Sequence, residues 1–221
     1  MIRMLRRIPP VQDPATAFDA ASDTYDDNPH HGTIAEALVR GLRLTIPPAL
    51  VVDVATGTGV AAFAALRLLA PERVVAVDIA SRMLDRARAK AVHEDPAGRV
   101  DWRLARAVPL DLRDGRADVV LCASSLHFLG AAALHDWLRV LRPGGQVAFS
   151  IPMADDFHPS PEFRRMVAAH LTIPSDAAAA TGIALEAGFV AARAETTAPA
   201  SGDRPRRAFL VWAAAPAAPR L

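Results

Sequence analysis

Cysteine is nearly absent. Cys122 is the single one in 221 residues, which excludes an internal disulfide framework and suits a reducing cytoplasm. No apolar run is long enough to span a bilayer. The basic start, Met1 to Arg7, meets Pro9 and Pro10 where a secretory signal would need its apolar segment. A soluble, cytoplasmic protein is the expectation. An excess of one charge is also missing: with a formal net charge of +1 and scattered arginines, neither nucleic acid nor an anionic membrane is expected as the main partner. No internal repeat and no composition boundary divides the chain, so residues 1–221 are expected to form a single domain. No metal-ligand spacing is recognisable either. His30-His31 and Asp155-Asp156-x-His158 are neighbours on loops, an arrangement that seldom converges on one ion, and no metal site is expected.

What the sequence has is a core-forming composition, 52% hydrophobic and 22% charged, and one stretch around which the rest is organised. Val51-Val52-Asp53-Val54-Ala55-Thr56-Gly57-Thr58-Gly59 is an apolar run that stops at two glycines and passes into the Ala- and Leu-rich segment 60–70. It reads as strand, tight turn and helix. Glycine lets the backbone turn sharply and approach a ligand, and the helix start presents unpaired N–H groups. The spacing Gly57-x-Gly59-x-x-Ala62 also fits the dinucleotide fingerprint.

Around this unit the chain alternates strand and helix, the pattern of a parallel sheet covered on both faces. Strands are expected at 50–55, 73–78, 99–105, 119–122 and 146–151. Helices are expected at 58–70, from Ser81 as N-cap through Ala91, and along Leu134, Trp137, Leu138 and Leu141. Residues 1–15 read as a loose leader and 16–46 as N-terminal helices, the second bearing Ile34, Leu38 and Leu42. The Pro-, Asp- and Ser-rich stretch after Ile151, with a helix bearing Phe163, Met166, Val167, His170 and Leu171, reads as a lid over 152–172; His170 is expected to be packed or to face the lid. A helix over 175–187 ends at Gly188, a natural left-handed position. Two strands, 189–194 and 209–214, and a frayed tail from Ala215 complete the chain.

Two carboxylates bear on the chemistry. Asp53 lies four residues before Gly57, where a dinucleotide-binding strand is usually apolar. Its candidate partners are the ammonium of an amino-acid-containing ligand and the N–H groups of the glycine loop itself, and both can hold together. Asp78 ends the second strand, where a carboxylate can accept two hydrogen bonds from ribose hydroxyls. No tyrosine–lysine pair of the kind nicotinamide dehydrogenases use is recognisable.

The run from Asp53 to about Ser150 resembles the class I S-adenosylmethionine-dependent methyltransferases, most closely the small-molecule group that includes quinone-biosynthesis C-methyltransferases. Asp53 through Gly59, Val77-Asp78-Ile79 with Ser81 to Leu84, Ala117 to Cys122, and Val140 to Gly145 carry the resemblance. It implies an α/β fold: a doubly wound, Rossmann-like, seven-stranded sheet, mostly parallel with an antiparallel last strand and helices on both faces. It implies S-adenosylmethionine as cofactor and a small-molecule acceptor of the methyl group. Such scaffolds also host non-methylating chemistry such as cyclisation, or serve as non-catalytic partner subunits.

Carried onto this chain, the resemblance implies that Gly57 and Gly59, with Ala55 between strand and turn, approach the methionine part of the cofactor and that Asp53 supports its amino end. Asp78 would hold the ribose. Ile79 and Met83 would pack on the adenine, Ser124 would line the groove, and Tyr25 would close over the carboxylate. The family often reads the adenine amine with an acid after the third strand. Here the matching stretch is Leu104-Ala105-Arg106-Ala107, and arginine cannot accept from an amine. His127, in Ser124-Ser125-Leu126-His127-Phe128, is the best candidate for a general base where the family lines its substrate mouth.

Overall fold

The computed structural model describes residues 13–198 and 206–218. Seven strands form one sheet in the order β3-β2-β1-β4-β5-β7-β6. In chain order these are β1 (Leu50–Val54), β2 (Arg73–Asp78), β3 (Val100–Leu104), β4 (Ala117–Cys122), β5 (Leu141–Pro152), β6 (Val190–Thr196) and β7 (Ala208–Ala214). The first five run parallel. β7 pairs antiparallel with both β5 and β6, so it is the one reversed strand among them. This is the architecture that the resemblance implied.

Alternation along each buried strand assigns the two faces. Val52, Val54, Val75 and Val77 pack with Trp137, Phe149 and Ala184 on one side. Val51, Val74, Ala76 and Leu121 pack with Leu38 and Phe63 on the other. A parallel sheet covered on both sides needs such continuous apolar strands. The covering helices are α1 (Pro14–Ala21), α2 (His30–Arg40), α3 (Val60–Leu69), α4 (Ser81–Glu94), α5 (Leu126–Leu129), α6 (Ala131–Val140), α7 (Pro161–Met166) and α8 (Ala177–Glu186). β1 sits between β2 and β4, so the strand order reverses there, and the carboxyl ends of all three reach the same edge.

Several expectations need correction. The start of α4 is not capped by the Ser81 side chain; Asp19 of α1 accepts from Arg82 N at 2.8 Å instead. The long-range cap could not be seen in local spacing. α2 ends at Arg40, before Leu42. Leu141 begins β5 rather than ending α6. The helix of the stretch after Ile151 is a short one, since Val167 is already extended, and His170 is exposed rather than packed. Of the expected leader, Pro14 and Ala15 open α1, while residues 1–12 lie outside the described residues, as do 199–205 and 219–221. Ala215, taken as frayed tail, is buried and donates from its N–H to Gly145 O at 2.8 Å. Gly188 takes the left-handed conformation expected, with φ +95°.

Candidate active site

The turn after β1 is held by two carboxylates. Asp53 Oδ2 accepts from Thr56 Oγ1 at 2.5 Å and from Ala62 N at 3.0 Å. Gly59, the N-cap of α3, has no side chain to offer, so Asp53 supplies the cap from the strand. The loop's own groups are therefore the partners Asp53 has, and it does not line either cavity described below. Its Oδ1 is buried without a partner. Burial pushes this carboxyl up to about 7, against the hydrogen bonds from Thr56 and Ala62. Asp78 Oδ2 accepts from Gly57 N and its Oδ1 from Ala80 N, both at 2.8 Å, which stitches the ends of β1 and β2 together. Burial raises its pKa as well.

At this edge lies a groove of about 520 Å³. Ala55, Gly57, Asp78, Ile79 and Met83 line one side of it, and Arg106 with Ala107 another. Ile79 is 37% exposed, an apolar shelf left open beside a carboxylate. Ala55 and Gly57 both have positive φ, +53° and +55°, which turns the chain tightly below the groove. Gly59 does not reach it. A Cβ there would stand 2.7 Å from Trp102 Cη2 and 2.9 Å from Phe63 Cε2, so this glycine answers to packing behind the turn. Arg106 is exposed at the rim.

The groove is roofed by the N-terminal segment. Asp19, Asp23 and Asp26 meet Arg82, Arg86 and Lys90, which are one, two and three turns along the same ridge of α4. Asp23 pairs with Arg82 at 3.0 Å and with Arg86 at 2.7 Å, and Asp26 with Lys90 at 3.0 Å. Spacing at i, i+4 and i+8 puts all three cations on one helix face. Tyr25 is thereby set over Gly57, its Cε1 3.8 Å from where a Cβ would be, and its ring stacks on His31 with centroids 4.3 Å apart. Burial, then the nearby carboxylates of Asp78, Asp26 and Asp53, hold the phenol well above its ordinary pKa.

A second cavity, about 610 Å³, adjoins the first. Phe18, Tyr25, Ser125 and Phe128 line both and form the shared wall. His127 lines the second cavity, 7% exposed, with Nδ1 buried and unpartnered, and burial pulls its pKa down to about 4. Ser124, expected in the groove, lies on this second side, with its N–H given to Ser150 Oγ at 2.8 Å. His30, His31 and His158 line the same cavity. Phe18 and the acidic run 19–26 are the contributions that sequence reasoning missed; three acids four and three residues apart, ahead of a basic ridge in the α4 segment, were the available signal.

Residues 51–145 match the family model described as methyltransferase domain. The chain is 35% identical over 136 residues to the ubiquinone/menaquinone biosynthesis C-methyltransferase UbiE of Methylobacterium nodulans, covering 60% of this chain and 53% of that protein. It is 32% identical over 124 residues to the arsenite methyltransferase of Halobacterium salinarum, covering 52% of this chain and 32% of that protein. The chain thus spans between about a third and a little over half the length of these curated relatives. Among solved structures, a SAM-dependent methyltransferase from Aquifex aeolicus superposes with a TM-score of 0.63 at 19% identity, over 89% of this chain and 98% of that one. At that identity the likeness is one of fold. Among the described residues no helix is long and apolar enough to cross a membrane.

Proposed function

We propose that the protein is a class I S-adenosylmethionine-dependent methyltransferase that transfers a methyl group to a small-molecule acceptor, a reading supported by the methyltransferase-domain match over residues 51–145 and the likeness to UbiE. The observation that carries this is the pair of adjoining cavities at the carboxyl edge of the sheet, separated only by Phe18, Tyr25, Ser125 and Phe128. One suits a nucleoside, the other an acceptor, and the wall between them is where a methyl would pass.

The groove fits the cofactor. Asp78 keeps a second lone pair on each oxygen after its backbone bonds, and these are available to ribose hydroxyls. Ile79 and Met83 offer apolar surface to a purine, and Gly57 with Ala55 lets the backbone approach the amino-acid end. Tyr25 roofs that end. Asp53 acts one step back, by holding the turn. Arg106 offers the purine a guanidinium face and no acceptor. When bound, the cofactor supplies an electrophilic methyl group on a sulfonium sulfur.

The chain's own contribution is alignment and exclusion of water. The strap of Asp19, Asp23 and Asp26 closes the groove, and the segment 152–172 covers the acceptor side: Phe157, Ser160 and Phe163 line that cavity, and Ala168 N donates to His127 O at 2.9 Å. His127 is neutral at pH 7 and can accept a hydrogen bond, or a proton, from the acceptor's nucleophilic group at a ring nitrogen. A conjugate acid near 4 makes it a weak base, so orienting the nucleophile is its main task and proton uptake follows late in the displacement. A cavity of this size, about 610 Å³, suits a small molecule. The lone, buried Cys122 fits residence in a reducing cytoplasm.

Mass spectrometry of the purified protein is the direct test. Co-purified S-adenosylmethionine or S-adenosylhomocysteine is the expected finding; co-purified nicotinamide dinucleotide would overturn the reading.

A further inference from the structure

We infer that the second cavity is shaped for an acceptor carrying a carboxylate on an aromatic body. The inference rests on the methyl-transfer reading for the role of this cavity, and it adds the class of molecule that enters it.

The aromatic half follows from where a chain poor in aromatics places them. Only 5% of the residues are aromatic, with eight phenylalanines and one tyrosine. Four of those phenylalanines, Phe18, Phe128, Phe157 and Phe163, line this one cavity together with the tyrosine. Phe18 lies 5.6 Å from both Phe128 and Phe163, centroid to centroid, and Phe128 lies 6.1 Å from Phe163. The His127 ring continues the cluster, 4.0 Å from Phe128 and 5.2 Å from Phe157, centroid to centroid. Rings at these spacings touch one another and form one continuous aromatic wall, against which a flat ring in the cavity can lie by offset or edge-to-face contact.

The anionic half follows from charge. Asp156 is the one carboxylate among the described residues lining the cavity, and it is already bound to Arg207, Oδ2 to Nε at 2.7 Å and Oδ1 to Nη2 at 3.0 Å. Arg206 lines the same cavity and has no ion pair among the described residues. Burial lowers both His30 and His31, His31 to about 4, with a smaller contribution from the Arg206 charge in each. Among the described residues, one exposed arginine charge is therefore left unpaired at the His30–His31 end, and His31 Nδ1 is buried without a partner. A carboxylate matches a guanidinium bidentately. A cationic acceptor would meet repulsion there, and a neutral one would leave the exposed guanidinium to water.

The test is calorimetric titration of the full chain, with and without S-adenosylhomocysteine, using 4-hydroxybenzoate, 4-hydroxyphenylacetate and 4-hydroxycinnamate against their methyl esters. At least one acid is expected to bind tenfold or more tightly than its ester. Arg206→Gln is expected to bring the two within threefold by weakening the acid alone. Equal binding of acid and ester, binding of none of the acids, or a preference that survives in Arg206→Gln overturns the inference. The heat of S-adenosylhomocysteine binding reports separately on the cofactor: if it is absent while an Arg206-dependent preference for acids remains, the cavity assignment stands and the methyl-transfer reading falls.

Discussion

Asp26 Oδ1 accepts a hydrogen bond from Thr58 Oγ1 at 2.6 Å, joining the turn that carries Tyr25 to the glycine turn after β1. The other oxygen of Asp26 takes Lys90 Nζ at 3.0 Å. One carboxylate thus links the roof, the floor and the flank of the groove.

The strap is expected to govern how fast the groove opens rather than how stable the fold is. Asp23 is 60% exposed, and solvent screens ion pairs of this kind. Asp23→Asn should therefore move Tm little. Asp26→Ala removes the contacts to both Thr58 and Lys90, and stopped-flow measurement should show S-adenosylhomocysteine leaving several-fold faster. An off-rate equal to that of the unaltered protein would mean that the strap is not the gate.

Gly59 and Gly98 separate crowding from backbone strain. Both have positive φ, +85° and +63°, but a Cβ at Gly59 would strike Trp102 and Phe63 while one at Gly98 meets nothing within 4 Å. Gly98→Ala should cost about 1 kcal/mol, the penalty of the left-handed conformation. Gly59→Ala adds overpacking of roughly 1–3 kcal/mol. Denaturant unfolding of the two variants checks this, and equal losses would contradict the packing role given to Gly59.

The fold was legible because each signal for it is local: apolar runs ending at Asp53-to-Gly59 and at Asp78, and glycine at 188. Of the residues lining the groove's floor, Gly57 and Asp78 were marked by local spacing at the strand ends, whereas Ala55, Ile79 and Met83, the last in the first turn of α4, were named only through the family resemblance. What stayed hidden depends on contacts between distant segments. The cap of α4 is Asp19, 63 residues from the N–H it accepts. Gly59 looked like a second ligand glycine because spacing cannot report that Trp102 packs behind it. Ser124 and Ser125 are adjacent, and only the backbone at Ser124, with φ +65°, decides that it faces the acceptor side.

His127 should make the protein acid-sensitive. Its pKa is about 4 in the fold against an ordinary value of 6.5. Above 6.5 both folded and unfolded chains hold it neutral; between 6.5 and 4 the unfolded chain takes a proton that the folded one refuses. Stability attributable to this group is thus full above 6.5 and lost as pH falls toward 4, by about 3 kcal/mol. In His127→Gln the loss of stability from pH 7.5 to pH 4.5 should shrink by roughly 2–3 kcal/mol, as read by denaturant unfolding at the two pH values. An unchanged pH dependence would show that His127 titrates normally in the fold.

The groove at Asp78 is expected to hold an S-adenosyl cofactor. Isothermal titration with S-adenosylhomocysteine and with NAD, on the unaltered chain and on Asp78→Ala, tests it most directly. S-adenosylhomocysteine is expected to bind in preference to NAD, and Asp78→Ala to weaken that binding by about 1.5–3 kcal/mol, the scale of hydrogen bonds to a charged group. Tight binding of NAD with no heat from S-adenosylhomocysteine, or an unchanged affinity in a folded Asp78→Ala, would contradict it.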